Sequence, residues 1–423
     1  MVLKNVLIGF FFNILFYVFN FLIFLVFPII YIICWLFGTS TVNEVTDEEK
    51  IRIEKAVIKD IPGLVPKDMD ISVTSADNKK INIKVHYLEY NKVESGEVCL
   101  FIHGAGSGSL AWCPFIKKNV VGNAIFLDMP GYGKSEIDTN YITASKDNVI
   151  DMYCEVILEC INTLGLKKVK LIAHSFFGFF AIHFTNRNKD LVSQLILLSP
   201  AGLFTTLGKY GAYWSFFFSS LLPESFITDY GTPGLYVLNT IMDFLKCDYE
   251  YYWNLQYWLS PNYIGHFILS KFIYYDLCKA CWRYPVSDIL ITLPVPISIV
   301  YGKNDCIIPF NMGLAVHSCN PNIDLYLIHD VGHSLHKELD GEPFANVFVK
   351  ILSQEIKENN VKYNKLDTLY TSNHCIKSTV KELQELYTHY CGHKEKLHFY
   401  EYSQQKIINK TITFEEFLKS YIY

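Results

Sequence analysis

Four short runs of this chain are almost wholly apolar, and each stops at a turn. Glu97-Val-Cys-Leu-Phe-Ile102 ends in His103-Gly-Ala-Gly-Ser-Gly108, and Asn123-Ala-Ile-Phe-Leu-Asp128 ends in Met-Pro-Gly131-Tyr-Gly133-Lys-Ser135. Val169-Lys-Leu-Ile-Ala173 ends in His174-Ser175, and Gln194–Leu198 ends at Pro200. A strand that is apolar on both faces must be covered on both, which requires helices above and below its sheet. Between these runs lie segments with helical spacing. Asp147 to Leu166 places Val149, Met152, Val156, Ile157, Cys160 and Ile161 on one side, and a helix-compatible run follows from Phe176 to Phe184. The alternation resumes with Val295–Tyr301 and Ile323–Ile328, and a helix from Pro343 to about Ile356 closes it. This pattern predicts an α/β fold with a mostly parallel, doubly wound sheet whose site lies at the carboxyl ends of the strands.

Outside that pattern the chain divides as follows: 1–40, a membrane anchor; 41–68, a linker helix; 69–202, the first part of the core; 203–290, a helical lid; 291–356, the second part of the core; 357–423, a C-terminal appendage. Thr46-Asp-Glu-Glu49 has the form of a capping box and opens the linker helix, which Pro62 and Pro66 end. Asp70–Val73 and Ile81–Tyr90 alternate around Asp77-Asn78-Lys79 and read as a hairpin. Residues 203–290 carry helical patterns crowded with aromatics, among them Trp214, Phe216, Tyr252, Trp253, Tyr257 and Trp258. They form either an insertion with its own small core or, as favoured here, a lid that binds an acyl chain or dips into a bilayer.

No charged residue occurs from Asn5 to Asn43, and Val6 to Phe37 is almost wholly apolar. A secretory apolar region is shorter, about 7–15 residues, and ends at a small-residue cleavage site. A single span needs about 20 apolar residues. A retained single-pass N-terminal transmembrane segment is therefore expected, in an endomembrane or the secretory pathway. Pro28 leaves a re-entrant hairpin as the alternative. Orientation is not readable, because Lys50, Arg52 and Lys55 are mixed with Asp47, Glu48 and Glu49. The 51% hydrophobic composition fits contact with a membrane, and a net charge of -5 with no basic run argues against nucleic acid as a partner. The twelve cysteines are scattered, and Cys278-Lys-Ala-Cys281 has no second pair. Reduced thiols are expected, with no metal site and no cofactor.

The run Val169–Gly178 holds the candidate nucleophile. A serine on a strand-to-helix corner has its hydroxyl lifted off the sheet, beside the N–H groups that open the next helix. The usual pattern is Gly-x-Ser-x-Gly, and this chain reads Ala173-x-Ser175-x-Phe177. Phe177 stands where a small residue lets the turn close, although Gly178 follows at once. On this segment alone, an ordinary buried serine stays open. Two further strand ends supply Asp305, in Gly302-Lys-Asn-Asp305, and His333, in Asp330-Val-Gly-His333. The order Ser, acid, His is the one used by a nucleophile elbow on such a sheet. A serine hydroxyl needs a base within hydrogen-bond reach. His333 would be that base, and Asp305 would hold its tautomer and stabilise the imidazolium. The oxyanion donors expected are the N–H groups of Phe176 and Ala105, the second in the glycine turn after His103. Asp128 is a rival acid and His336 a rival base. His103 and His174 are expected to be structural.

From about Lys80 to Ile351 the chain resembles the α/β-hydrolase superfamily. His103-Gly-Ala-Gly-Ser-Gly-Ser-Leu-Ala-Trp112, Asp128-Met-Pro-Gly-Tyr-Gly-Lys-Ser135, the Ser175 corner and Gly332-His333-Ser-Leu-His336 are similar to one branch. That branch holds the N-acyl-phospholipid and lysophospholipid lipases, the cardiolipin deacylases and a related lipase co-activator. Tyr249-Glu-Tyr-Tyr-Trp-Asn254-Leu-Gln256 is similar to a lid motif there. The resemblance implies an α/β-hydrolase fold and a membrane-bound serine acylhydrolase acting on acyl esters of lipids. It also implies that Gly104, Gly106, Trp112, Asn254 and Gln256 contact substrate. Some members carry His-x4-Asp and are credited with acyl transfer to lysophosphatidic acid, where this chain has His333-x4-Glu338. The co-activator lacks the serine that this chain keeps.

In the appendage, Val380, Leu383, Leu386 and Tyr390 have helical spacing, and the scattered His374, Cys375, His389, Cys391, His393 and His398 fit no metal template. The segment is expected to pack on the core or on a protein partner. Asn409-Lys-Thr411 is a glycosylation sequon of the kind that chance supplies in an Asn-rich chain. Four other readings stand beside the lipid esterase. They are a silent lipid-binding scaffold, a lipase co-activator, a lysophospholipid acyltransferase and a thioesterase. Epoxide or haloalkane chemistry is disfavoured, because it needs a carboxylate at position 175.

Overall fold

A computed structural model of the chain describes residues 47–74, 80–91, 96–105, 107–135, 149–203, 286–305, 308, 310–320, 322–353, 396–403 and 406–413. The expected anchor and nearly all of the expected lid, including Asn254 and Gln256, lie outside them, as does Gly106. Among the described residues no helix is long and apolar enough to cross a membrane.

Ten strands of the described residues form one sheet. The first helix, α1 (Asp47–Ile58), leads into β1 (Leu64–Thr74), which pairs antiparallel with β2 (Lys80–Asn91) from Leu64↔Tyr90 to Thr74↔Lys80. This is the expected hairpin, but β1 starts six residues before Asp70 and runs through Pro66. The edge position explains the tolerance, because a proline has no N–H to offer a second neighbour and an edge strand needs none there. Next come β3 (Val98–Ile102), β4 (Asn123–Leu127), β5 (Val169–His174), β6 (Val192–Leu198), β7 (Ile297–Gly302) and β8 (Asp324–Ile328). The sheet order is β1-β2-β4-β3-β5-β6-β7-β8, with every pair from β4 to β8 parallel.

The apolar runs are buried as their composition demands, and alternate residues face two cores. On one face Leu100, Ile102, Leu171, Leu195, Leu197, Ile299 and Leu325 meet α3 (Val149–Thr163), α4 (Phe176–Arg187), α5 (Ser287–Thr292) and α6 (Asn311–Cys319). To keep chain order, α2 denotes the helical turn Cys113–Ile116, which continues a 3-10 turn over Ser109–Trp112. On the other face Phe101, Phe126, Ile172, Ile196, Val300 and Tyr326 meet α1, α2 and α7 (Glu342–Ser353). The buried thiols Cys99, Cys113 and Cys154 are pushed up to about 12 by desolvation, which leaves them inert.

Part of the segment read as a C-terminal appendage extends the sheet. Lys396–Ser403 (β9) pairs parallel with β8, and Lys406–Thr413 (β10) folds back on β9. These strands sit at the sheet margin and lack the unbroken apolar run of the centre, so they carry no signal of burial on both faces.

Candidate active site

β5 ends at His174, and α4 begins at Phe176. Ser175 between them has φ 52 and ψ -118. An L-residue held at positive φ costs about 1–3 kcal/mol and persists only where its surroundings enforce it. Here its N–H donates to the Leu198 carbonyl at 2.8 Å, and its own carbonyl accepts from Ala201 at 2.9 Å and Gly178 at 3.0 Å. The close approach expected two residues past the serine occurs one residue later. A Cβ on Gly178 would lie 2.9 Å from Cβ of Pro200. Phe177 instead turns a fully buried ring toward His103, Tyr132 and Tyr153.

The three expected residues meet at this corner. Ser175 Oγ lies 2.9 Å from His333 Nε2, and His333 Nδ1 lies 2.8 Å from Asp305 Oδ2. With the carboxylate as acceptor, the pattern assigns the imidazole proton to Nδ1 and leaves Nε2 to accept from the serine hydroxyl. Asp305 has a fully buried side chain, and its Oδ1 accepts from the Ile308 N–H at 2.8 Å. The His333 side chain keeps 14% of its surface exposed.

The glycine turn passes beside the serine. A Cβ on Gly104 would lie 3.2 Å from Cβ of Ser175 and 2.6 Å from Nδ1 of His174, so only glycine lets the backbone come this close. Ala105 follows, half-buried, and Phe176 opens α4 directly after Ser175.

The rivals have other work. Asp128 accepts from the N–H groups of Ser109 at 2.5 Å and Lys134 at 2.9 Å, which ties two loops together. His336 is fully buried against Trp112 and His174, with ring centroids 4.3 and 4.7 Å away, and burial followed by the His174 charge holds its pKa well below the histidine range. His103 is structural. Nδ1–H donates to the Gly104 carbonyl at 2.7 Å, Nε2 accepts from the Met129 N–H at 3.0 Å, and burial lowers its pKa to about 4.

Trp112 is wholly buried, with its ring centroid 5.0 Å from Phe101 and 6.3 Å from Phe115. Its large apolar surface packs in the core with Phe101 and Phe115. The sequence reading missed the hold on the loop around His333. Both oxygens of Glu338 accept main-chain N–H bonds there, from Gly332 at 2.6 Å and Ser334 at 3.0 Å, and His174 Nε2–H donates to the His333 carbonyl at 2.9 Å. The available signal was a carboxylate five residues after the candidate base.

A family model described as the alpha/beta hydrolase fold matches residues 98–338, more than half of the chain. The chain is 24% identical over 281 residues to a 2-hydroxy-6-oxononadienedioate/2-hydroxy-6-oxononatrienedioate hydrolase of Comamonas testosteroni, covering 62% of this chain and 88% of that protein. A hydrolase of the same description from Burkholderia vietnamiensis is 25% identical over 285 residues, covering 63% and 92%. Among solved structures, a putative lipase from Acinetobacter baumannii superposes with a TM-score of 0.53 at 17% identity, covering 74% of this chain and 100% of the other. A thermophilic esterase from Thermogutta terrifontis gives 0.53 at 18% identity, covering 68% and 98%. An epoxide hydrolase from Bacillus megaterium gives 0.52 at 20%, covering 67% and 100%, so the likeness at this level is one of fold.

Proposed function

The chain belongs to the alpha/beta hydrolase fold family and is a hydrolase, and we propose that it is a membrane-anchored serine esterase that cleaves acyl esters of lipids. The observation that carries the reading is the array Asp305, His333, Ser175, with contacts of 2.8 and 2.9 Å on a corner held at positive φ. In this mechanism Ser175 Oγ attacks the ester carbonyl carbon while its proton passes to His333 Nε2. Asp305 stabilises the imidazolium that forms. The N–H groups of Phe176 and Ala105 donate to the tetrahedral oxyanion, beside the N-terminus of α4. Collapse breaks the ester C–O bond, and the imidazolium returns its proton to the leaving alcohol. Water then attacks the acyl-serine by the same route, with His333 again the base. A serine in this position supports acyl transfer and not the carboxylate chemistry of an epoxide hydrolase.

The lipid part of the proposal rests on the uncharged run from Asn5 to Asn43 and the aromatic-rich 203–290 segment. In this reading Gly104, Gly106, Asn254 and Gln256 contact the substrate, and residues 1–40 tether the domain to a membrane. A small soluble oxo-dicarboxylate is the second reading, and it is favoured by the names of the Comamonas and Burkholderia relatives.

One experiment addresses both levels. Membranes carrying the full chain are treated with a fluorophosphonate probe, beside Ser175→Ala and a form lacking residues 1–40. We expect labelling of the full chain in the membrane pellet, none for Ser175→Ala, and labelling in the supernatant for the truncated form. Loss of a triad serine lowers turnover by about a million-fold. A folded, unlabelled full chain would instead support the scaffold or co-activator reading. A labelled protein that prefers a lysolipid acceptor to water would be an acyltransferase, and one that prefers acyl thioesters a thioesterase. Hydrolysis of soluble oxo-dicarboxylates in preference to long-chain esters would favour the second reading.

A further inference from the structure

Glu338 stands where some members of the resembled branch carry the aspartate of His-x4-Asp, and its contacts hold the loop around His333. Its Oε2 accepts from the Gly332 N–H at 2.6 Å and its Oε1 from the Ser334 N–H at 3.0 Å, the residues on either side of His333. The carbonyl of His333 accepts from His174 Nε2–H at 2.9 Å. Three successive residues thus have a main-chain group satisfied by a side chain, and two side chains do all of it. The loop also closes on itself, since the N–H groups of Lys337 and Glu338 donate to the Ser334 carbonyl at 2.8 and 3.0 Å. A Cβ on Gly332 would come within 3.1 and 3.3 Å of the two Glu338 oxygens, so the glycine leaves room for the carboxylate.

We infer that Glu338 and His174 are positioning residues that set where the His333 ring meets Ser175. The inference rests on His333 being the base. The bonds to Ser175 and Asp305 align the ring only if its main chain is already placed, and a displacement of about 1 Å at such a site costs up to about 100-fold in rate. A carboxylate suits the task because it is acceptor-only at both oxygens. Glutamine would set an NH2 group against one of the two N–H donors. Aspartate is one methylene short. His174 acts as a neutral donor, since burial, then the neighbouring His333 charge, keeps its pKa well below the histidine range.

The test uses the full chain in detergent with p-nitrophenyl butyrate and a fluorophosphonate probe. Glu338→Gln should lose about 10- to 100-fold in kcat with KM within about twofold, and its labelling should slow by the same factor yet reach full stoichiometry. His174→Phe, which removes the donor, should behave alike, while His174→Gln, whose amide N–H reaches a similar point, should stay within about threefold of wild type. Should Glu338→Gln fail to fold, the His174 pair decides alone. Wild-type kcat in folded Glu338→Gln, or equal activity of His174→Phe and His174→Gln, would overturn the inference. A wild-type chain that takes no label would instead sink the serine-hydrolase reading, so the two failures are distinguishable.

Discussion

Two residues past Ser175 stands Phe177, where a serine corner ordinarily carries a small side chain. The substitution is absorbed because the tight contact with Pro200 falls at Gly178, leaving position 177 free to point into the core. Its ring is fully buried and meets His103 at 5.2 Å and Tyr153 at 5.0 Å, both edge to face. Such pairs add about 0.5–1.5 kcal/mol each beyond burial. Restoring a small residue therefore damages the protein. Phe177→Ala should lower unfolding free energy by about 3–5 kcal/mol, read from the denaturant midpoint. A midpoint equal to or above wild type would show that the ring is not part of the core. The departure at 177 was plain in the sequence, but its resolution was not. His103, Tyr132 and Tyr153 come from three distant segments, and no local spacing brings them to one ring.

At the scale of elements, α1 is pinned to the sheet by a charge cluster that no single segment announces. His86 on β2 bonds Glu54 of α1 through Nε2 at 2.6 Å and Asp68 of β1 through Nδ1 at 2.7 Å. Lys134, in the turn after β4, reaches the other Glu54 oxygen at 2.9 Å. Burial lowers the His86 pKa, but the Glu54 bond, the charge of Asp128, and the contacts with Glu54 and Asp68 outweigh it and raise the pKa. Burial likewise raises Glu54 and Asp68, and the His86 bond and charge, followed by lysine contacts, bring both below their ordinary values. A raised histidine contributes stability below its unfolded value of about 6.5 and loses it as pH climbs through the folded value. The lowered carboxylates contribute above about 4 and lose it as pH falls through their folded values. The cluster therefore stabilises most between about pH 4 and 6.5, with decline on both sides. His86→Gln should flatten the alkaline decline in the melting temperature. Parallel pH profiles for wild type and variant would refute the linkage. The central strands and α4 were legible because each has its own period or apolar run. This cluster was not, since its members belong to four segments joined only by folding.

For the molecule as a whole, the sheet outgrows the region that the family model matches. The family match ends at residue 338, yet β9 and β10 lie beyond it and lengthen the sheet past β8. Their placement bears on the site, because β8 runs straight into the loop that carries His333. Tyr326, Leu327 and Ile328 pair with Tyr400, Glu401 and Tyr402, and the His329 N–H continues the ladder to the Tyr402 carbonyl at 3.2 Å. Tyr402 also accepts through its hydroxyl from Asn346 Nδ2 of α7 at 2.9 Å. The hairpin thus braces both the strand that enters the His333 loop and the helix that follows it. Ending the chain at residue 395 would strip β8 of its neighbour and leave an edge of unpaired N–H and C=O groups, a template for aggregation. We expect a lower melting temperature and more aggregation, with kcat toward p-nitrophenyl butyrate falling further than KM rises, because the loop loses its upstream support. Tyr402→Phe, which removes one hydrogen bond, should cost only about 0.5–1.5 kcal/mol. A truncated chain that melts and turns over as the full one does would mean that the hairpin decorates the sheet without bracing it. The base would then be held from its own side alone, by Glu338 and His174.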